Sequence, residues 1–192
     1  MDVIDARSTA EAQEYMMMAL AECGDRLTIE LVEAYMRGDR WVGTFIAGCA
    51  ELGIRREFEV HADPVPEGVE GGQFSYSTKV STLIDAGEWY LVASRYLQAG
   101  ADGEHQFDQA PSLALVEDVY ESYSRAIAAI SEILKFIPPG QAAPPDPAFW
   151  TERGRSVREG VGDQLTRSFL EPARARLEGI LRAIREEYQP KR

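Results

Sequence analysis

Between Ser112 and Ile137 the chain reads SLALVEDVYESYSRAIAAISEILKFI, and its apolar residues recur at alternating steps of four and three. Val116, Tyr120, Tyr123, Ile127, Ile130, Leu134 and Ile137 therefore stack on one face of an α-helix. A second row, Val119, Ala126 and Ile133, widens the stripe beyond a coiled-coil seam to the width of a helix that faces a globular core. At about 1.5 Å per residue the rod is roughly 39 Å long, enough to cross a small domain. Pro138 and Pro139 stop it, because proline has no N–H and restricts the residue before it. Any fold for this chain must be built around that helix.

Composition sets the bounds. At 192 residues and 45% hydrophobic content, the chain suits one domain, or one domain with a docked appendage. No apolar run approaches the ~18 residues of a membrane span. The opening MDVIDARSTAE carries acids where a signal peptide needs bases, so a cytoplasmic protein with no membrane attachment is expected. Cys23 and Cys49 lack a CxxC spacing and read as reduced core residues. The formal charge is −12, with 17 acids against 8 bases in residues 1–100 and 15 against 12 in residues 101–192. Such a charge disfavours direct nucleic-acid binding and favours a basic protein partner.

In chain order, Ser8 and Glu11 have capping-box spacing ahead of a helix that ends near Gly24; of Met16, Met17 and Met18, two are expected in the core. Ile29, Leu31, Val32, Tyr35 and Met36 suggest a second helix closed by Gly38. Trp41, Val42, Phe45, Ile46, Cys49 and Leu52 suggest a third closed by Gly53, with Gly43 and Gly48 admitting a close neighbour. Residues 47–54 have a faint helix-turn-helix look, without a polar reading helix after them. The period then changes to two: Phe58, Val60 and Ala62 alternate with Glu57, Glu59, His61 and Asp63, as in a half-buried strand. Residues 64–73 read as a loop. Residues 74–82 alternate again, although STKVSTLI also suits a helix start.

Asp85 and Glu88 have cap spacing before a helix carrying Trp89, Val92, Ala93, Tyr96 and Leu97; a strand over Tyr90–Tyr96 is the rival reading. Residues 100–110 read as a polar connection. Residues 138–147, with five prolines, read as a semi-rigid spacer. A helix from about Ala148 weakens at Gly160-Val161-Gly162. A final helix follows, with Leu165, Phe169, Ala173, Leu177, Ile180, Leu181, Ile184 and Tyr188 on one face and Pro172 as a kink or restart.

The expected fold is mainly α: a bundle of six to eight helices with a small inserted antiparallel β-ribbon (about 56–62 and 74–82). The expected domains are a helical core over 1–137, the spacer 138–147, and a C-terminal section over 148–192 that packs back on the core. The final helix is also a route to a homo-oligomer.

Chemistry has few actors. There is no GxSxG, GxxxxGK[ST], HExxH, GxGxxG or cysteine-pair zinc spacing. Glu57, Glu59, His61 and Asp63 would project from one strand face, with neighbours roughly 6–7 Å apart, where His61 could act as an oriented base or help hold a cation. The stretch 102–108, with Glu104 and His105, places carboxylates near a glycine but lacks the full calcium-loop spacing. Glu59, His61, Asp63, Glu104 and His105 are thus the metal candidates, and Trp89, Tyr96, Tyr120 and Tyr123 the candidates for a ligand pocket. No cofactor is implied. The leading expectation is an acidic, non-enzymatic interaction or regulatory protein, such as an adaptor or toxin-neutralising partner. Its rival is a small-molecule-binding or metal-assisted enzyme with a site near His61, His105 and the Trp89 helix.

Overall fold

The structure, a computed structural model, describes residues 1–63, 76–110 and 112–188. It is mainly helical with a small four-stranded mixed sheet. The described residues divide into two compact units, residues 1–63 with 76–83 and residues 84–188. The division falls after Leu83, and the proline-rich stretch 138–147 lies inside the second unit.

The first unit begins with strand β1 (Asp2–Ala6) and helix α1 (Thr9–Ala19). Strands β2 (Thr28–Arg37), β3 (Arg40–Cys49) and β4 (Ile54–Ala62) follow. The sheet order is β1-β4-β3-β2, with β1 parallel to β4 and the other pairs antiparallel. Ser8 caps α1 as its sequence requires, accepting from the Glu11 N–H at 3.2 Å. Ala12 and Met16 of α1, followed by Leu20, pack onto Ile4, Phe45, Phe58 and Val60 to make the core. Met16 and Met18 are buried and Met17 is half-buried.

The two helices expected over residues 28–53 are instead a hairpin. Arg37 pairs with Arg40, leaving Gly38-Asp39 as a two-residue turn. Gly38 has φ 66 and, among the described residues, no non-glycine residue has positive φ, which fits a type II′ turn with glycine first. Helical periodicity over β2 was mimicked by a bulge. The register shifts between Leu31 and Glu33, so Val32 is the inserted residue. The sheet's core-side positions become Ile29, Leu31, Ala34 and Met36, whose uneven spacing imitates a turn of helix. The chain from β3 to β4 passes through a 3-10 turn, Ala50–Leu52, so the helix-turn-helix resemblance has no structural counterpart.

The strand expected over 56–62 is present within β4, but its partner is not the 74–82 segment. Phe74 and Ser75 lie outside the described residues, as does the stretch 64–73 expected to be a loop; residues 76–83 form no strand. Side chains explain why. The Tyr76 hydroxyl donates to Glu14 at 2.9 Å and the Ser81 hydroxyl to Glu11 at 2.5 Å, both buried on α1. The Ser77 and Ser81 hydroxyls accept from the backbone N–H of Lys79 and Leu83. Hydroxyls that bond locally or to a helix compete with a ladder.

The second unit is an antiparallel helical pair, α2 (Ala86–Gln109) and α3 (Leu113–Lys135), joined to α4 (Glu152–Val161) and α5 (Arg167–Tyr188). The long stripe behaves as its period demands: Val116, Val119, Tyr123, Ala126, Ile130 and Ile133 are buried. Residues 100–109, expected to be a connection, continue α2. Their glycines mark close packing. A Cβ on Gly100 would lie 2.3 Å from the Tyr123 ring, and one on Gly103 would lie 2.7 Å from Val119. The helix over Tyr90–Tyr96 holds against its strand alternative, and the expected capping box at Asp85 and Glu88 is complete. The fully buried Asp85 also accepts from the Thr151 N–H at 2.9 Å and hydroxyl at 2.7 Å, while Thr151 caps α4. One carboxylate thus organises two helix starts. Pro144, Ala148 and Phe149 are buried, and the Arg167 N–H donates to the Ala142 carbonyl at 2.7 Å, so the proline-rich stretch is docked. One helix passes through Pro172, and α5 packs on α3, with Leu177 buried and Ile180, Leu181 and Ile184 half-buried.

Candidate functional site

The sheet of the first unit offers the most organised polar surface. Opposed residues share a face in an antiparallel ladder. The register therefore lines up Glu33, Thr44 and Glu59 across three strands, and Glu30, Ile46 and Glu57 in the row beside them. Val3 and Asp5 of β1 continue the face opposite Glu59 and His61. Glu30, Glu33, Glu57 and Asp5 are exposed, while Glu59 and His61 are half-buried. The Thr44 hydroxyl donates to Glu33 at 3.4 Å. Basic residues stand at both ends: Arg55 lies two residues before Glu57 on the same face, and at the other end Arg40 meets Asp5 at 2.6 Å and donates to the His61 carbonyl at 3.0 Å.

The expected juxtaposition on β4 is partly realised. His61 Nε2 lies 2.5 Å from Glu59 Oε1, so alternate residues do share a face and touch. Asp63 turns to other company, pairing with Lys79 at 3.1 Å and lying 3.9 Å from Arg40. Glu104 and His105 stand on α2, in the other unit. His105 Nε2 meets the Gln109 amide at 2.9 Å, one turn along the same helix. Glu104 accepts the Tyr123 hydroxyl; burial first, then that hydrogen bond, pushes the Tyr123 pKa up to about 12. Among the described residues, no group of three or more His, Cys, Asp or Glu side chains is arranged to hold a metal ion.

The four aromatic residues are spread along the α2–α3 pair, each in its own environment. Trp89 is fully buried at the start of α2. Tyr96 accepts from Arg125 at 3.3 Å beneath two guanidinium groups, with Arg95 4.7 Å and Arg125 5.6 Å from its ring centroid. Tyr120 carries Arg185 of α5 over its ring at 5.6 Å, and Tyr123 is buried against Gly100. Elsewhere in this unit, burial raises the Glu88 carboxyl pKa, whereas Arg158 lowers that of Asp146.

The two cysteines are buried and free. Burial, then the neighbouring Cys49, raises the Cys23 thiol pKa, which keeps it protonated and unreactive.

One surface was missed in the sequence. Strand β2 is the edge of the sheet, and nine of its ten residues are exposed. Leu31, Val32, Tyr35 and Met36 are 48%, 54%, 41% and 55% exposed. The signal for it was the Gly-Asp pair at 38–39 between apolar runs, the sequence mark of a tight hairpin. Among the described residues no helix is long and apolar enough to cross a membrane. No family model, curated protein or solved structure matches the chain.

Proposed function

We propose that the protein is a non-enzymatic interaction module whose acid-bearing sheet face binds a basic protein partner. The observation that carries this reading is the placement of Glu33 on β2 and of Glu57 and Glu59 on β4 on one face, either side of β3, with Glu30 and Asp5 on the same face. Carboxylates fixed on a sheet are pre-ordered, so a cationic partner pays little extra side-chain entropy to meet them. Residues 1–83 hold 15 acids against 7 bases, so the long-range field also favours encounter with cations. Within this proposal the protein is cytoplasmic and its role regulatory, adaptor-like or toxin-neutralising.

The experiment is capture of proteins from a cell lysate on immobilised protein, with elution by increasing salt. Basic proteins should be retained at low salt, and their release should shift steeply as the Debye length falls from about 10 Å at 0.1 M to 3 Å at 1 M. The variant Glu33→Gln/Glu57→Gln/Glu59→Gln should lose the same bands while keeping the circular dichroism of the parent. Retention that is indifferent to salt, or unaltered in the variant, refutes the reading.

The 2.5 Å contact between Glu59 and His61 supports a second reading, in which a carboxylate orients an imidazole as a general base for a small-molecule substrate. A metabolite or divalent cation that raises the melting temperature of the protein but not of His61→Ala would favour it over the first.

A further inference from the structure

The geometry points to β2 as the interface of a homodimer: we infer that two copies of the chain pair their β2 edges antiparallel about a two-fold axis between Val32 and Glu33. This contact shares Glu30 and Glu33 with the acidic sheet face but does not depend on that face binding a partner. It rests on a pattern in one strand.

Helix α1 lies on β1 and β4 and, with its 11 residues, leaves β2 largely uncovered. Beyond Ile29, which packs against the core, the core-side positions Leu31, Ala34 and Met36 are exposed. Ten residues of bare edge, with an apolar row, are what natural sheets avoid unless something pairs with them. The other edge, β1, is five residues long.

The occupant can be read from the symmetry of the strand. Facing residues of an antiparallel pair must point to the same side of the sheet. In an unbroken strand, residues such as Ile29 and Met36 would point to opposite sides. The bulge at Val32 reverses that parity, so Ile29, Leu31, Ala34 and Met36 all share the core side. That set is symmetric about the point between Val32 and Glu33. A second β2, turned about that point, sets Ile29 opposite Met36 of the other copy and Leu31 opposite Ala34. On the outer side it sets Glu30 opposite Tyr35 and Thr28 opposite Arg37, with Glu30 and Arg37 as diagonal neighbours of opposite charge. This register pairs all ten residues, the fifth pair setting Val32 opposite Glu33 at the axis.

The backbone agrees. Residues flanking a two-residue hairpin turn form a hydrogen-bonded pair, so Arg37 and Arg40 bond to each other. Alternation then aims the N–H and C=O groups of Met36 and Ala34 away from β3. Past the bulge the same alternation aims those of Leu31 and Ile29 outward. The outward-pointing residues are therefore the ones that face one another across the proposed axis. A bulge commonly blunts an edge; here it brings both arms of the strand into one self-complementary pattern. The interface is isologous and closed, forming a single eight-stranded sheet from two protomers.

The test is sedimentation velocity of the full chain from roughly 1 to 200 µM, because a contact one strand wide lies at the weak end of specific interfaces. A monomer–dimer equilibrium is expected. Leu31→Lys, which sets like charges beside the axis, should shift the dimer midpoint at least tenfold higher in concentration. Ala34→Pro, which removes an outward N–H without touching the β3 ladder, should do the same. Arg167→Ala, on α5, should leave the equilibrium unaltered. Register is read by mixing Leu31→Cys and Ala34→Cys proteins under mild oxidation. Backbones facing at about 5.5 Å permit a disulfide, so the mixture should cross-link and neither protein alone should do so as efficiently. Cys23 and Cys49 are buried and do not compete. A monomer at every concentration overturns the proposal and leaves the edge to a different chain. A dimer insensitive to both β2 variants, or cross-linking in each protein alone but not in the mixture, overturns it as well.

Discussion

Tyr123 shows how much a single side chain can report. It is 4% exposed, its ring fills the space left by Gly100, and its hydroxyl is held by Glu104. Ionising it would place a charge in an apolar seam beside a carboxylate. Its pKa therefore rises from 10.0 to about 12 in the folded protein. A proton held more tightly in the folded state contributes stability that is whole below the unfolded pKa. That contribution fades as pH rises from about 10 through about 12. Relative to its own stability at pH 9, the parent should lose on the order of 2 kcal/mol more than Tyr123→Phe by pH 12. Urea titrations of the two proteins across that range measure the difference, and absorbance at 295 nm should show one late-titrating tyrosine missing from the variant. His61, by contrast, was found by its period-two spacing with Glu59, and the two do touch. Asp63 was grouped with them by the same spacing, yet Lys79 and Arg40 hold it. Alternation tells which face a residue leaves from; it cannot tell which charge on a distant segment will claim it.

Helices and strands were legible to different degrees. α3 was read with its stripe and its stop, because a long amphipathic period with a proline terminator admits few alternatives. α2 was read at its start, where the Asp85 and Glu88 cap is local, but cut short at Gly100. Glycine usually weakens a helix, and its use here depends on a second helix close by. Those two effects can be separated experimentally. Gly179 in α5 has nothing within 4 Å of an added Cβ, so Gly179→Ala should gain up to about 1 kcal/mol from helix propensity. Gly100→Ala would gain the same propensity but drive a methyl to 2.3 Å from the Tyr123 ring. Overpacking a buried seam costs about 1–3 kcal/mol, so the net change at Gly100 should be destabilising. Chemical denaturation of both variants decides it; equal gains at the two sites would show that α2 and α3 can separate freely. The β2–β3 hairpin looks helical in sequence because one bulged residue shifts its apolar set to a helix-like spacing. Val42 and Ile46, apolar on the opposite face of β3, erased the alternation there too.

At the scale of the molecule, the two units have their own interiors. Trp89, Ile133 and Leu165 are buried residues of the second unit, whereas Met16, Phe58 and Val60 share the core between α1 and the sheet. A chain of residues 84–192 should therefore fold alone, with a helical circular dichroism spectrum, a cooperative melt, and blue-shifted fluorescence from Trp89. A fragment that melts without cooperativity would show that this interior is incomplete. The same fragment lacks β2 and should remain monomeric where the full chain dimerises. The boundary after Leu83 has no mark in the local sequence. Five prolines at 138–147 suggest a linker, but Pro144 is buried there, Phe149 is buried just beyond, and the Ala142 carbonyl anchors the start of α5.

What the chain determined on its own was whatever depends on near neighbours: the cap at Ser8, the cap at Asp85, the stripe and stop of α3, the alternation of β4, and the acidic character. Each is set within a turn or two by backbone geometry and side-chain chemistry. What only the tertiary structure decided was pairing. The parallel contact of β1 with β4, the claim of Tyr76 and Ser81 by buried acids on α1, and the glycine-lined seam between α2 and α3 all join residues far apart in sequence. Such contacts are selected by the burial of shared surface, which no local period encodes. The exposed edge of β2 belongs to the same class: a strand is an edge only once every other strand has found its place.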